Sequence, residues 1–182
     1  MIAAARWAGF AHDVWVADKR GVPDLRRFED SADGYYQLHL EAVREGDFSK
    51  RVTASWGLIA RGRDSLPYLM LMLRSSNADS REDAGGALGW LGRKSGDVVG
   101  ELLTALAHET EHQPRDAIVV TLGALKSRAA IPALAALIRS DGTDGDTRRC
   151  AVESLGKIVR KRFGTQDDPE SAAIAWLDAH GG

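Results

Sequence analysis

The chain has 182 residues, 44% of them hydrophobic, which is enough to bury a core in one domain or in one array of stacked units. A formal net charge of −2 and a pI near 6.2 argue against a chain-wide electrostatic affinity for nucleic acid or anionic membrane, although a local basic patch is compatible with them. Because Cys150 is the only cysteine, internal disulfides and CxxC-type metal or redox motifs are excluded, which fits a reducing cytosol.

Residues 1–48 are predicted to be helical but lack the repeated helical pattern that begins at Ser49 and is described below. Apolar residues from Trp7 to Val14 follow helical spacing, and YYQLHLEAVR from Tyr35 forms a second amphipathic stretch. We interpret this segment as a cap over the first repeat. The alternative is a partner-docking element, since aromatic residues dominate binding hot spots. Its aromatic residues would be Trp7, Trp15, Tyr35 and Tyr36.

Neither a signal peptide nor a membrane span is predicted. Arg6, His12 and Asp13 interrupt the apolar residues at the start of the chain. No later segment approaches the roughly 20 apolar residues that a membrane span needs. We therefore expect a cytoplasmic protein.

Four later segments repeat one pattern. They are SKRVTASWGLI from Ser49, REDAGGALGWL from Arg81, RDAIVVTLGAL from Arg115 and RRCAVESLGKI from Arg148. Their starts lie 32, 34 and 33 residues apart, and apolar positions at i, i+4 and i+7 define one helical face. The ninth column is always glycine: Gly57, Gly89, Gly123 and Gly156. We expect these glycines to permit close approach of a neighbouring helix.

A second amphipathic helix is predicted to follow each of these first helices. The four second helices are LPYLMLML from Leu66, VVGELLTAL from Val98, IPALAALI from Ile131 and PESAAIAWLDA from Pro169. Pro67, Pro132 and Pro169 fall in their first turns, where a missing N–H costs little. Ser65 is predicted to be the N-cap of the first one.

The pattern (Val/Ala)-x-x-(small)-Leu-Gly-x-(Leu/Ile), with a period near 33, resembles the HEAT-like repeats of the kind found in phycobilisome lyases. The resemblance covers residues 49–180. It implies an all-α, right-handed α-α superhelix of four helical pairs, at 49–80, 81–114, 115–147 and 148–182, behind the cap at 1–48. Arg81, Arg115 and Arg148 match a position that bonds to the neighbouring repeat in this family, so we interpret them as a structural ladder.

In this family the second helices line the concave surface. Helical phase places a mixture of apolar and charged residues there, which suits a protein partner better than nucleic acid. The residues are Tyr68, Met72, Glu101, Thr104, His108, Ala133, Ala136 and Arg139. Of these, Tyr68, Met72, Glu101, Thr104, His108 and Arg139 are the predicted binding residues.

The stretch HETEH, His108 to His112, matches a zincin signature, in which two histidines one helical turn apart ligate zinc. The repeat alignment ends one helix near Ala107 and begins the next at Pro114. HETEH should therefore cover a turn, which would separate the two histidines. We interpret the match as chance and predict no metal and no cofactor.

Other enzyme classes built from HEAT-like repeats match the chain poorly. Deoxyhypusine hydroxylases of this type hold iron on several His-Glu dyads, whereas this chain has one, His108-Glu109, outside the matching position. HEAT-like DNA glycosylases use a basic concave face, tryptophans and an aspartate; Trp90 and Asp116 are candidates, but the net charge is unfavourable. A bilin lyase needs a chromophore pocket, which no pattern here indicates, and Cys150 flanks the buried stripe as a packed thiol would.

One short run is densely basic, KIVRKR from Lys157 to Arg162. It contains the core residues Ile158 and Val159, so we interpret it as the solvated carboxyl end of a helix, not as a phosphate clamp. No serine, histidine and acid set has a recognisable spacing, and no phosphate-binding glycine loop is present.

The sequence therefore predicts a non-catalytic protein-binding scaffold or adaptor, or a small inhibitor or immunity-type protein, whose partner is another protein. Nucleic acid and membrane are not expected as partners. The alternatives are a HEAT-like metal-dependent enzyme or lyase and a HEAT-like DNA glycosylase.

Overall fold

The computed structural model describes residues 25–92 and 98–180, and every regular element in these two ranges is helical. The α-helices are α1 Ala32–Glu45, α2 Phe48–Arg61, α3 Leu66–Leu73, α4 Ala78–Leu91, α5 Val99–His108, α6 His112–Ala124, α7 Ile131–Arg139, α8 Gly145–Val159 and α9 Pro169–His180. The predicted all-α class is confirmed. The predicted helix near Trp7, and Trp15, lie outside the described residues.

Side-chain caps define the amino ends of α2, α4 and α8. Asp47 accepts a hydrogen bond from the Lys50 amide at 3.0 Å, and Asn77 and Asp144 cap α4 and α8 in the same way. The predicted cap Ser65 is wrong, because its hydroxyl makes no bond to the first turn of α3. It donates instead to the Leu58 carbonyl at 2.6 Å, which ties the turn back onto α2.

The chain divides into two compact units, at residues 1–96 and 97–182. In the first unit α1 packs against α2, α2 against α4, and α3 against α4. In the second unit α6 packs against α8, α7 against α8, and α9 against both α7 and α8. The largest fully buried side chains include Leu58, Leu69, Met72 and Leu88 in the first unit and Leu102, Ile118, Leu122, Leu134, Leu155 and Leu177 in the second.

Two glycines of the repeated column lie where another helix comes very close. A Cβ on Gly57 would meet the Tyr35 ring of α1, and a Cβ on Gly123 would lie 2.6 Å from Ser154 Cβ of α8. The predicted packing role is confirmed at both positions. A Cβ on Gly156 would lie 2.6 Å from the Lys161 carbonyl oxygen in the turn that follows α8. Glycine is therefore needed here for close approach of a turn, where we expected close approach of a helix.

Tyr35 is therefore part of the core. Its side chain is buried between Gly57 and Phe28, whose ring centroid lies 5.8 Å from its own. Its predicted alternative role as a docking residue is wrong, since a partner could not reach the ring. The neighbouring Tyr36 remains partly exposed.

Candidate functional site

The predicted binding residues of the first unit, Tyr68 and Met72, have different environments. Met72 is only 2% exposed and belongs to the core, so the prediction that it lies on the binding surface is wrong. The segment LPYLMLML is apolar on every side, so helical phase gave no indication of which face is buried. The side chain that does face solvent is Leu71, which is 54% exposed.

Tyr68 joins an exposed apolar surface that we call the tyrosine–leucine patch, formed by Tyr36 and Leu40 of α1 and by Tyr68 and Leu71 of α3. The Tyr36 and Tyr68 ring centroids lie 5.2 Å apart, so the two helices meet there. Leu40 lies one turn beyond Tyr36, and Leu71 one turn beyond Tyr68. Leu40 and Leu71 are 42% and 54% exposed, and with Phe48 they are the exposed large apolar side chains of residues 25–92 and 98–180.

The Asp33 carboxylate of α1 lies near the Tyr68 hydroxyl at the edge of the patch. Desolvation, with the nearby Asp33 charge, raises the pKa of Tyr68, so the phenol stays neutral. The patch therefore combines aliphatic side chains, two tyrosine rings tilted by 35° to each other and one polar edge.

In the second unit the predicted residues are exposed and polar. Thr104 donates to the Gly100 carbonyl at 2.9 Å, and His108 Nδ1 lies 2.8 Å from the Thr104 carbonyl, so these two side chains bond along α5. Glu101 is exposed on the same helix. Arg139 of α7 donates to Asp178 of α9 at 2.7 Å. These residues form polar surface without an apolar centre, unlike the patch.

The HETEH stretch covers a turn, as the repeat alignment predicts. His108 is the last residue of α5 and His112 the first of α6, so no single helix carries both. His112 Nδ1 lies 2.9 Å from Asp144 Oδ2. The Glu109 side chain accepts hydrogen bonds from the backbone amides of Thr110 and Glu111. No group of three potential metal ligands occurs among residues 25–92 and 98–180.

A buried polar cluster in the first unit was not predicted from the sequence. It consists of His39 on α1, Arg51 on α2, and Ser80 and Asp83 on α4. The Arg51 guanidinium donates to both Asp83 oxygens, at 3.0 Å from Nε and 2.9 Å from Nη2. His39 Nε2 hydrogen-bonds with Ser80 Oγ at 2.9 Å, and its Nδ1 lies 3.5 Å from Asp83 Oδ2. Three helices are thus joined by one polar network.

The cluster contains the side chains of a serine–histidine–aspartate relay but lacks its chemistry. Burial, and then the Arg51 charge, lower the pKa of His39 to about 4, so the imidazole is a weak base near neutral pH. His39 is 0% exposed and Ser80 2% exposed, which leaves a substrate no access to the hydroxyl. Burial raises the pKa of Asp83 to about 6 against the opposing Arg51 charge, so at pH 7 the ion pair is intact. We assign the cluster to structure.

The three arginines predicted as a ladder bind backbone carbonyls. Arg81 donates to the Ser75 and Ser76 carbonyls, Arg115 to Glu109, and Arg148 to Ser140 and Thr143. Each acceptor lies in the linker before the arginine's own helix. These carbonyls fall in the preceding predicted repeats, at 49–80, 81–114 and 115–147, so each arginine bonds to the neighbouring repeat and the structural role is confirmed. Arg51 and Asp83 make a further bond between successive predicted repeats in the first unit.

The other candidate catalytic residues are also held in packing contacts. Burial raises the pKa of the Cys150 thiol to about 12, so little thiolate forms near neutral pH. Asp116 accepts a hydrogen bond from the Thr147 hydroxyl at 2.6 Å, and burial raises its pKa to about 6. Trp90 packs edge to face on Trp56, with centroids 5.2 Å apart. Each side chain already has a structural partner or a buried environment.

No helix among the described residues has the length and apolar character that crossing a bilayer requires. No protein-family model matches the chain, and no curated protein matches it significantly. Its function is therefore proposed from its residues and their geometry.

Proposed function

We propose that the chain is a right-handed α-solenoid of HEAT-like helical pairs that acts as a non-catalytic protein-binding module. The order of elements supports this proposal, because a first helix with the repeated glycine is followed by a second helix four times along the chain. Within each unit the first helices pack on each other, α2 on α4 and α6 on α8, as neighbouring repeats do.

The tyrosine–leucine patch is the observation that carries the binding function. Exposed leucines beside two tyrosines form the kind of surface on which interface hot spots occur, since rings bury large areas with little loss of side-chain freedom. Leu71 and Leu40 are about half exposed. Burying them against a partner's apolar side chains would remove apolar surface from water, which is favourable in free energy. The occupant we propose is an apolar helix or loop of another protein, with a donor facing Asp33 at the patch edge.

Catalysis is not proposed, for reasons of geometry. The relay-like His39 cluster is closed to substrate, Cys150 is a buried thiol, and the HETEH histidines lie on two helices. A metal enzyme, a lyase or a glycosylase needs reactive groups that meet at an accessible point. The exposed apolar surface of the first unit supports recognition of a partner instead.

The test combines capture with surface variants. The tagged full chain is purified from its source cell under native conditions, and co-purifying proteins are identified by mass spectrometry. The double variant Leu40→Ser/Leu71→Ser removes the apolar centre of the patch, and Phe48→Ser is the control, because Phe48 is 53% exposed but lies at the start of α2. Purified candidates are then titrated against each variant.

We expect a partner that binds the wild type and Phe48→Ser equally. The double variant should bind at least about 30-fold more weakly, since each leucine no longer contributes about 1 kcal/mol or more of apolar burial. Circular dichroism should show unchanged folding, because both leucines face solvent. A stoichiometric partner that ignores the double variant would place the interface elsewhere, and bound zinc or iron that survives chelation would favour the enzyme alternative.

A further inference from the structure

A basic cleft of about 520 Å³ opens at the carboxyl end of α8 in the second unit. Lys157, Arg160, Lys161 and Arg162 surround it, and Gly156 and Phe163 contribute to its lining. The Phe163 ring is buried, so the cleft has an apolar wall beneath a cationic rim. The KIVRKR run therefore forms the solvated carboxyl end of α8, as predicted, and it also surrounds a concavity.

The rim of this cleft carries three cations in succession. Arg160, Lys161 and Arg162 are exposed, and no carboxylate among residues 25–92 and 98–180 forms an ion pair with them. Glu153 is the acidic residue of the lining, and it already lies 3.4 Å from Arg149. The last carbonyls of α8 contribute only a partial negative charge of about half a unit. An anion is therefore the complementary ligand.

The backbone at the cleft is specifically shaped. The Lys161 amide donates to the Gly156 carbonyl at 2.9 Å, which folds the turn back against α8. This fold requires a left-handed residue, and Arg160 has φ of +60°. Arg160 has ψ of 41°, whereas Gly62 and Gly92, which follow α2 and α4, also have positive φ but ψ of −124° and −135°. In this left-handed conformation arginine is less favourable than glycine, so glycine at position 160 should leave the turn intact.

We propose that this cleft binds the di- or triphosphate group of a small molecule. The three consecutive cations, with Lys157 beside them, match a compact ligand with several negative charges better than a single carboxylate. Guanidinium groups bind phosphoryl oxygens in a two-bond fork, and two of the four cations are arginines. The volume suits a small ligand, and the Phe163 wall provides an apolar contact for the part that carries the phosphates.

The test measures binding of sodium triphosphate and of ATP to the full chain by isothermal titration calorimetry at 150 mM salt. The key variant is Arg160→Gly, which removes one cation while glycine fits the left-handed backbone. The matched control is Lys126→Gly: Lys126 follows α6 with φ of +53°, so the same backbone relief and charge change occur outside the cleft. Both variants should retain or raise the melting temperature.

We expect saturable one-site binding, weakened about ten-fold or more by Arg160→Gly, as loss of one charge-assisted contact implies, and unchanged by Lys126→Gly. Equal affinity for triphosphate and ATP would mean that the phosphates alone are recognised. Tighter binding of ATP would mean that the Phe163 wall also contacts the ligand. The proposal is overturned if neither probe saturates, if Arg160→Gly binds like the wild type, or if Lys126→Gly weakens binding equally. Binding of an oligonucleotide but of neither probe would also overturn it.

Discussion

Protonation of His39 should oppose folding of the first unit in acid. The imidazole has a folded-state pKa of about 4, below its ordinary value of 6.5, because it is buried beside Arg51. A group with a lowered pKa stabilises the fold above the unfolded-state value and loses that contribution as the pH falls towards the folded-state value. The window for this loss is therefore between about pH 6.5 and pH 4.

The size of the effect follows from the shift in pKa. A difference of about 2.5 between the two states corresponds to about 3 kcal/mol of unfolding free energy at pH 4 relative to pH 7. No reduction for solvent screening is needed, since His39 is 0% exposed. Asp83 acts in the opposite direction, because its raised pKa favours folding as the pH falls from about 6 to 3.8. In the wild type the effects of His39 and Asp83 on the free energy of unfolding therefore partly cancel as the pH falls.

The His39→Gln variant separates the two contributions. Glutamine can hydrogen-bond with Ser80 but does not titrate, so the variant should gain stability relative to the wild type by about 3 kcal/mol between pH 7 and pH 4. Urea unfolding of both proteins across that range measures the difference. An NMR titration of the histidine rings gives the His39 pKa directly.

Parallel stability profiles for the wild type and His39→Gln, or a His39 ring that titrates near pH 6.5, would refute this account. Either result would mean that water or structural relaxation reaches the cluster well above pH 4. The conclusion that α1, α2 and α4 bury the His39 ring away from water would then be wrong.

Two further changes test the packing of the first unit. Arg51→Met should cost about 3–5 kcal/mol in urea unfolding, because it leaves the Asp83 charge buried without its partner, and adding Asp83→Leu should recover most of that loss; an additive double variant would contradict the pairing. Gly57→Ala should destabilise by about 1–3 kcal/mol, since the new methyl meets the Tyr35 ring, whereas Gly100→Ala on α5, with open space around it, should be neutral or stabilising. Equal melting temperatures for the two alanine variants would refute the close helix contact at Gly57.

The repeat columns predicted the helices well because they record packing that recurs along the chain. Gly57 and Gly123 could be assigned a role from the alignment, since a residue without a side chain at a constant place in a helix implies a close neighbour. The second helix of the first repeat was harder. In LPYLMLML nearly every residue is apolar, so the sequence does not distinguish buried Met72 from exposed Leu71.

The polar cluster was missed because His39 lies in α1, before the repeats begin, 41 residues from Ser80. A partial indication was available, since Arg51 and Asp83 occupy the same column of successive repeats and carry opposite charges. The basic cleft depends on a tight turn after α8, whose left-handed residue is an arginine where glycine is the usual indication. A turn of this kind gives no periodic pattern.

The buried network of His39, Arg51, Ser80 and Asp83 also constrains how the first unit can change over evolutionary time. Sliding or rotating any one of α1, α2 and α4 would leave a charge or an imidazole unpaired in the core, so the network selects one register among the many that apolar side chains alone would tolerate. A substitution at any one of the four positions would likewise leave its hydrogen-bond or ion-pair partners buried and unpaired. These four positions can therefore be exchanged readily only as a set, and an apolar set that replaced them together would keep the stability of the unit while relaxing its choice of register.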